Sequence, residues 1–165
     1  MRFVLEGILK FNRDIEFLEH VLPEIVAKEV NMDIFRRGLR RNQEGARLSH
    51  WRASGLNLFV TIEGGDNLRA HEAFVIFKNY LIEKLGKEHN VNVTSFIIRN
   101  YDIYLRPSLM SRGKIDLKYP GVKDIRFKNN EIMVRLQDIS SDQIEDRFVE
   151  KILKGLEEKF TGQAS

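Results

Sequence analysis

The chain has 165 residues, of which 42% are hydrophobic and 31% charged, and this balance excludes a predominantly disordered protein. The absence of cysteine excludes a disulfide framework, a thiolate zinc site and an iron–sulfur cluster within these residues. The net charge of +3 is too small to identify a polyanionic partner, so the distribution of charge along the chain matters more.

A strand and a helix are predicted first. Every second residue from Phe3 to Phe11 is apolar or glycine, which predicts a strand over residues 2–11 with one buried face. Asp14 can cap the helix that follows, because apolar residues then recur at helical spacing up to about residue 26. Pro23 must kink or divide that helix, since proline has no N–H to donate.

A hairpin and a long helix are predicted next. Residues 46–53 and 56–63 predict two strands joined by a turn at Ser54-Gly55. An apolar stripe then marks a helix over residues 70–85, which Gly86 is expected to end.

The remaining elements complete an α+β pattern. Residues 91–105 predict a long strand or a strand with a bulge, and 122–127 and 131–137 predict a hairpin with a tight turn. Ser140 begins a capping box for a final helix that runs to about Lys159. We therefore predict about six antiparallel strands in one sheet, with a bundle of about three helices packed on one face.

Arginines are concentrated in one segment without regular periodicity. Six arginines and a single acid, Glu44, lie between Arg36 and Arg52. Four of the six fall in the predicted loop over residues 32–44, namely Arg36, Arg37, Arg40 and Arg41. A guanidinium binds phosphate through two hydrogen bonds and stacks on bases, so these four are candidate contacts to a nucleic-acid backbone. A solvated basic loop with no partner is the alternative.

A second basic region extends from Arg99 to Lys128. It holds eight Lys or Arg against three Asp, with three tyrosines interleaved, Tyr101, Tyr104 and Tyr119. Such a mixture suits single-stranded or looped RNA. The alternative, which we favour for Arg126 and Lys128, is that these are the outward charges of strands.

The central predicted helix carries basic residues on two flanks. Arg69 and Lys87 are separated by a whole number of turns and point the same way, whereas His71 and Lys78 share the opposite flank. Either flank could meet a phosphate, and Arg69 and Lys78 are the candidates. Taken by itself, His71 is better explained as a partly buried side chain beside the core.

Neither catalysis nor metal binding is predicted. The four histidines lie on different elements without metal-ligand spacing, and neither a Ser-His-Asp set nor a carboxylate pair can be identified. A hydrolase that uses His50 or His71 with Glu63 or Glu72 is a remote alternative. No apolar run approaches the ~20 residues that span a bilayer, so we predict a cytoplasmic protein with no membrane partner.

Five short segments, in this order and at these separations, carry a resemblance to a known family that covers nearly the whole chain. They are Phe35-Arg36-Arg37-Gly38, residues 45–51, residues 65–73, Leu85-Gly86-Lys87, and Arg147 with Leu153 and residues 156–159. In this combination the sequence resembles the N-terminal tRNA-binding domain of the rare methanogenic-type (type-2) archaeal seryl-tRNA synthetase. The resemblance implies a single tRNA-binding domain over residues 1–160. Residues 161–165 are then a tail or the start of a linker to an absent catalytic domain.

The resemblance implies a function in protein synthesis. The domain would recognise the long variable arm of serine tRNA and position the tRNA for aminoacylation by the separate catalytic domain. ATP, magnesium and zinc would belong to that catalytic domain, and no cofactor or metal is expected in this chain. The implied partners are serine tRNA, the catalytic domain and, as an option, a second copy of the parent in a homodimer.

Six residues are the expected tRNA contacts, Arg36, Arg37, Arg40, Arg41, Arg69 and Lys78. The first four rest on charge rather than on the resemblance. The alternative is a basic protein-interaction or dimerisation module without RNA specificity, which would associate with its partner in the absence of RNA.

Overall fold

Six antiparallel strands form one sheet in the computed structural model, which describes residues 2–25, 46–64, 70–105, 120–145 and 147–161. The strands are β1 (Arg2–Phe11), β2 (Ala46–Ser54), β3 (Asn57–Gly64), β4 (Val93–Leu105), β5 (Asp124–Lys128) and β6 (Glu131–Ser140). Their order across the sheet is β2-β3-β1-β4-β6-β5. The predicted α+β class and the six-stranded antiparallel sheet are confirmed.

Four helices occur in the part of the chain that the structure describes. They are α1 (Leu18–Ile25), α2 (Ala70–Glu88), α3 (Ser141–Glu145) and α4 (Phe148–Thr161). None of these four is long and apolar enough to cross a membrane. The prediction of one continuous final helix to Lys159 is wrong, because Arg147 has a φ of 58° and a right-handed helix cannot contain that conformation.

Of two signals predicted at helix ends, one is confirmed and one is wrong. Ser140 and Gln143 form the predicted capping box: the Gln143 N–H donates to Ser140 Oγ at 3.3 Å, and the Ser140 N–H donates to Gln143 Oε1 at 3.0 Å. The prediction that Gly86 ends α2 is wrong. The helix continues to Glu88, and the left-handed residue that turns the chain is Asn90, with a φ of 53°.

Both predicted hairpins are confirmed, and their turns depend on residues with positive φ. Gly55 has a φ of 59° between β2 and β3. Asn129 and Asn130 have φ values of 51° and 61° between β5 and β6, as a type I′ turn requires at both central positions. These turns match the right-handed twist of the strands that they join.

One face of the sheet is buried beneath the helices. The inward apolar side chains of β1 are those of Phe3, Leu5, Leu9 and Phe11. They are at most 1% exposed and share one core cluster with residues of all four helices. Gly7 lies on the same face at the point where Phe74 of α2 crosses β1, and a Cβ at Gly7 would lie 2.8 Å from Phe74 Cζ. The absence of a side chain at Gly7 therefore sets how closely α2 approaches the sheet.

The bulge predicted for β4 is also present. The register between β1 and β4 shifts between Glu6, which faces Asn100, and Gly7, which faces Ile98. Arg99 is the extra residue, and its side chain is exposed.

Two sequence predictions fall on residues that the structure does not describe. The irregular loop over 32–44 lies among residues 26–45, and four of the five residues of the predicted tail 161–165 lie at 162–165, whereas Thr161 is the last residue of α4. The loop and the domain bounds at residues 160 and 161 therefore stay predictions.

Candidate nucleic-acid interface

Lys78 lies on the flank of α2 that faces β4. Its Nζ atom is 4.0 Å from the centroid of the Phe96 ring, and the side chain is half-buried. Phe96 in turn packs against Phe74, with the two ring centroids 6.2 Å apart. An ammonium over an aromatic face is held by electrostatic attraction, so the charge of Lys78 is fixed at the junction of helix and sheet.

His71 lies on the same flank, as the sequence predicts. Its ring meets the Tyr101 ring edge-on, with the centroids 6.2 Å apart. Only 6% of His71 is exposed, which confirms the interpretation of this histidine as a side chain beside the core.

The other five predicted contacts lie outside the described residues. They are Arg36, Arg37, Arg40, Arg41 and Arg69. The four arginines precede β2 in the sequence, and Arg69 directly precedes Ala70, the first residue of α2. All five stay predictions.

The strand that follows the arginine-rich segment extends the positive charge. Arg47, His50 and Arg52 are exposed on β2, on the sheet face away from the helices. The Arg52 guanidinium carbon lies 4.9 Å from the centroid of the Phe59 ring. The sequence did not indicate these three as tRNA contacts, because strict alternation would place Arg47 on the opposite face from His50 and Arg52. A register irregularity between Leu48 and His50 brings all three side chains to one face.

In the described part of the second basic region, residues 99–105 and 120–128, the tyrosines do not form the exposed aromatic surface that the composition predicts. Tyr101 is fully buried, so its stacking role is wrong. Tyr104 lies under the guanidinium of Arg2, whose carbon is 4.1 Å from the ring centroid. The interpretation of Arg126 as an outward strand charge is confirmed, because its side chain on β5 is 71% exposed, with Nε 2.6 Å from Asp124 Oδ2. Tyr119 and the side chain of Lys128 are outside the described parts of the chain.

On the uncovered face of the sheet, charged side chains are bound to one another. Arg135 donates to both carboxylate oxygens of Asp102, at 2.7 and 2.9 Å. This hydrogen-bonded pair, with the added attraction of Asp124, raises the pKa of Arg135 above its ordinary value. Charges neutralised in this way are poorly placed to bind phosphate.

The pair of Asp102 and Arg135 yields a stability prediction. Asp102→Asn is expected to lower the free energy of unfolding by about 1 kcal/mol, because a charged acceptor of two hydrogen bonds is lost. The expected loss is small because the Arg135 side chain is 39% exposed and solvent screens the pair. Urea denaturation of both variants measures it, with Asp124→Asn as the control at the more exposed pair. Equal losses of unfolding free energy in Asp102→Asn and Asp124→Asn would contradict the stabilising role assigned to the pair of Asp102 and Arg135.

Three potential metal ligands meet where α2 begins. Single nitrogen or oxygen atoms of His71, Glu72 and Glu150 all lie within 4.8 Å of one another. Sequence spacing could not predict this cluster, because Glu150 comes from α4. His71 itself is only 6% exposed and its ring cannot be reached by a substrate, which disfavours the hydrolase alternative at this position.

Comparisons with known proteins agree with the fold. Residues 1–158 match the family described as a tRNA-binding domain. A type-2 serine–tRNA ligase of Methanothermobacter thermautotrophicus is 28% identical over 156 residues, covering 93% of this chain and 30% of the relative. The enzyme of that name from Methanococcoides burtonii is 28% identical over 160 residues, covering 96% of this chain and 30% of the relative.

A solved structure extends the comparison to three dimensions. The crystal structure of M. kandleri SerRS in complex with A. aeolicus tRNASec aligns with a TM-score of 0.75 and 25% identity. The alignment covers 93% of this chain and 29% of that chain. This chain thus spans about 30% of the length of the curated relatives that it matches.

Proposed function

We propose that this chain, which belongs to the family of tRNA-binding domains, recognises the long variable arm of serine tRNA and positions that tRNA for aminoacylation. The matched relatives are type-2 serine–tRNA ligases. In this proposal a separate catalytic domain of the parent protein joins serine to the tRNA, using ATP, magnesium and zinc. A second copy of the parent is a further proposed partner.

One observation carries the proposal more than the others. The fold matches, over 93% of its length, part of a synthetase whose structure was solved with a tRNA bound. Family membership alone supports tRNA binding, and the names of the relatives supply the serine specificity.

The chemistry of the surface favours recognition by shape. The deep major groove of an A-form RNA duplex hides base edges from side chains, so phosphates and ribose hydroxyls are what a protein reaches. Lys78 offers one ammonium at a fixed position on α2, and the exposed Arg47 and Arg52 add charge near the arginine-rich segment. We propose that Lys78, Arg69 and the four arginines of residues 36–41 contact the phosphates.

Lys78 provides a direct test. Lys78→Gln is expected to weaken binding to serine tRNA about three- to tenfold near 0.1 M salt, and to reduce the salt slope by about one, because one phosphate contact is lost. Binding is measured by fluorescence anisotropy across a salt series, and circular dichroism checks the fold of each variant.

Two further variants serve as controls for Lys78→Gln. Lys123→Gln removes the same charge from an exposed residue just before β5, at the sheet edge opposite β2, so it should bind like wild type. Lys78→Arg keeps the positive charge over Phe96 and should retain most of the affinity. An unchanged salt slope in Lys78→Gln would remove Lys78 from the interface.

Association of the chain with itself or an acidic protein, without any binding to tRNA, would favour the protein-interaction alternative.

A further inference from the structure

We propose that His71, Glu72 and Glu150 form a binding site for one divalent transition-metal ion of the zinc and manganese class. The site joins the beginning of α2 to the beginning of α4. This inference goes beyond tRNA binding and does not rest on it, because the site can be filled and measured without RNA.

The geometry is that of a nearly assembled site. One potential ligand atom from each of the three side chains lies within 4.8 Å of the other two. Bonds of about 2.0–2.2 Å to zinc place neighbouring ligand atoms about 3.5 Å apart, so small side-chain rotations complete the site. Two adjacent residues of α2 and one of α4 supply the ligands, which the fold brings together from distant parts of the sequence.

Burial preorganises the nitrogen ligand. His71 is 6% exposed, and the edge-on contact with Tyr101 restricts how its ring can turn. Glu72 and Glu150 are half-buried, so the site keeps a side open to solvent for entry of an ion. On that side Arg147 Nε lies 4.0 Å from a carboxylate oxygen of Glu150 and can orient it.

The donor set indicates the class of ion. One imidazole nitrogen with two carboxylates suits zinc, manganese and related first-row ions, with a fourth position left for water. Magnesium and calcium prefer ligand sets made only of oxygen, and a histidine nitrogen replaces one of those oxygens here. The sequence predicts no metal in this chain, because the three ligands come together only when the chain is folded.

The test uses the whole chain after treatment with a chelator. ZnCl₂, MnCl₂ and MgCl₂ are titrated separately in a calorimeter, and thermal unfolding is followed by circular dichroism with and without each ion. We expect one zinc ion per chain and a melting temperature several degrees higher at about 100-fold excess over Kd, since the unfolded chain does not present the assembled ligands. Magnesium should bind far more weakly.

Glu150→Gln is the decisive variant because its side chain is half-buried and the change is nearly isosteric. It should weaken zinc binding at least about tenfold while leaving the fold unchanged in the absence of metal. His89→Gln is the matched control: His89 is exposed, its Nε2 lies 3.9 Å from Glu88, and it represents an ordinary surface histidine beside a carboxylate. This control should bind zinc like wild type.

Three outcomes would contradict the proposed metal site. The first is no zinc binding by wild type at micromolar concentrations. The second is equal zinc affinity in wild type and Glu150→Gln. The third is loss of binding in His89→Gln, which would assign the zinc to an exposed histidine.

Discussion

Gly7→Ala is expected to lower the free energy of unfolding by about 3 kcal/mol, the largest stability effect that the structure predicts for so small a change. The added methyl group would overlap the Phe74 ring, with its Cβ 2.8 Å from Phe74 Cζ. Phe74 is fully buried and cannot move outward without disturbing the core, and overpacking of this kind costs typically 1–3 kcal/mol or more. Total stabilities are only about 5–15 kcal/mol, so the loss should be obvious in urea denaturation.

The sign of the change in unfolding free energy distinguishes a packing effect from an effect of backbone propensity. Alanine is preferred to glycine within a strand by roughly 0.5–1 kcal/mol, so propensity alone would make the variant more stable. Gly86→Ala is the matched control: a Cβ at Gly86 would meet nothing closer than Asn92 Oδ1 at 3.7 Å, and the change should stabilise α2.

A second substitution tests the contact itself. Phe74→Leu removes part of the ring, so the double variant should recover some of the stability that Gly7→Ala loses, and the two effects should not add. If Gly7→Ala is as stable as wild type, α2 does not lie against β1 as described, and the position assigned to Lys78 fails with it.

Local signals predicted much of this fold because they depend on a few neighbouring residues. The alternation in β1 needs only one buried face, and the capping box at Ser140 needs only its own side chains. Asn129 and Asn130 tolerate left-handed backbone, so their hairpin turn was equally predictable.

Other features depend on contacts between distant residues and could not be predicted from the sequence. Tyr101 is typical of an RNA-binding surface by composition, yet it lies on the inward face of β4 and is fully buried. Gly86 lies inside α2 because the helix continues to Glu88, and the chain turns only at Asn90. The meeting of His71 and Glu150 requires the beginnings of α2 and α4 to come close together, which no spacing in the sequence indicates.

The second large effect concerns the RNA rather than the protein. Removal of the long variable arm from serine tRNA is expected to weaken binding to this chain at least about tenfold, or about 1.4 kcal/mol. The arm is a short A-form duplex, and its loss removes phosphates that the basic residues can reach. The remaining affinity should come from nonspecific attraction to the rest of the tRNA.

Salt dependence distinguishes the loss of contacts from a change in tRNA folding. Each phosphate contact contributes about 0.7–0.9 to the slope of log affinity against log salt concentration. The tRNA without its arm should therefore show a shallower slope as well as weaker binding. A similar slope with weaker binding would indicate that the arm deletion alters the shape of the tRNA and not its contacts with this chain.

The measurement that tests the central claim most directly is a salt titration of this chain with intact serine tRNA and, in parallel, with the same tRNA without its long variable arm. Recognition of the arm predicts tighter binding and a steeper salt slope for the intact tRNA, and a smaller difference between the two tRNAs for Lys78→Gln. Equal affinities and equal slopes would contradict arm recognition. They would leave a domain that shares the fold of the tRNA-binding family and not the proposed specificity.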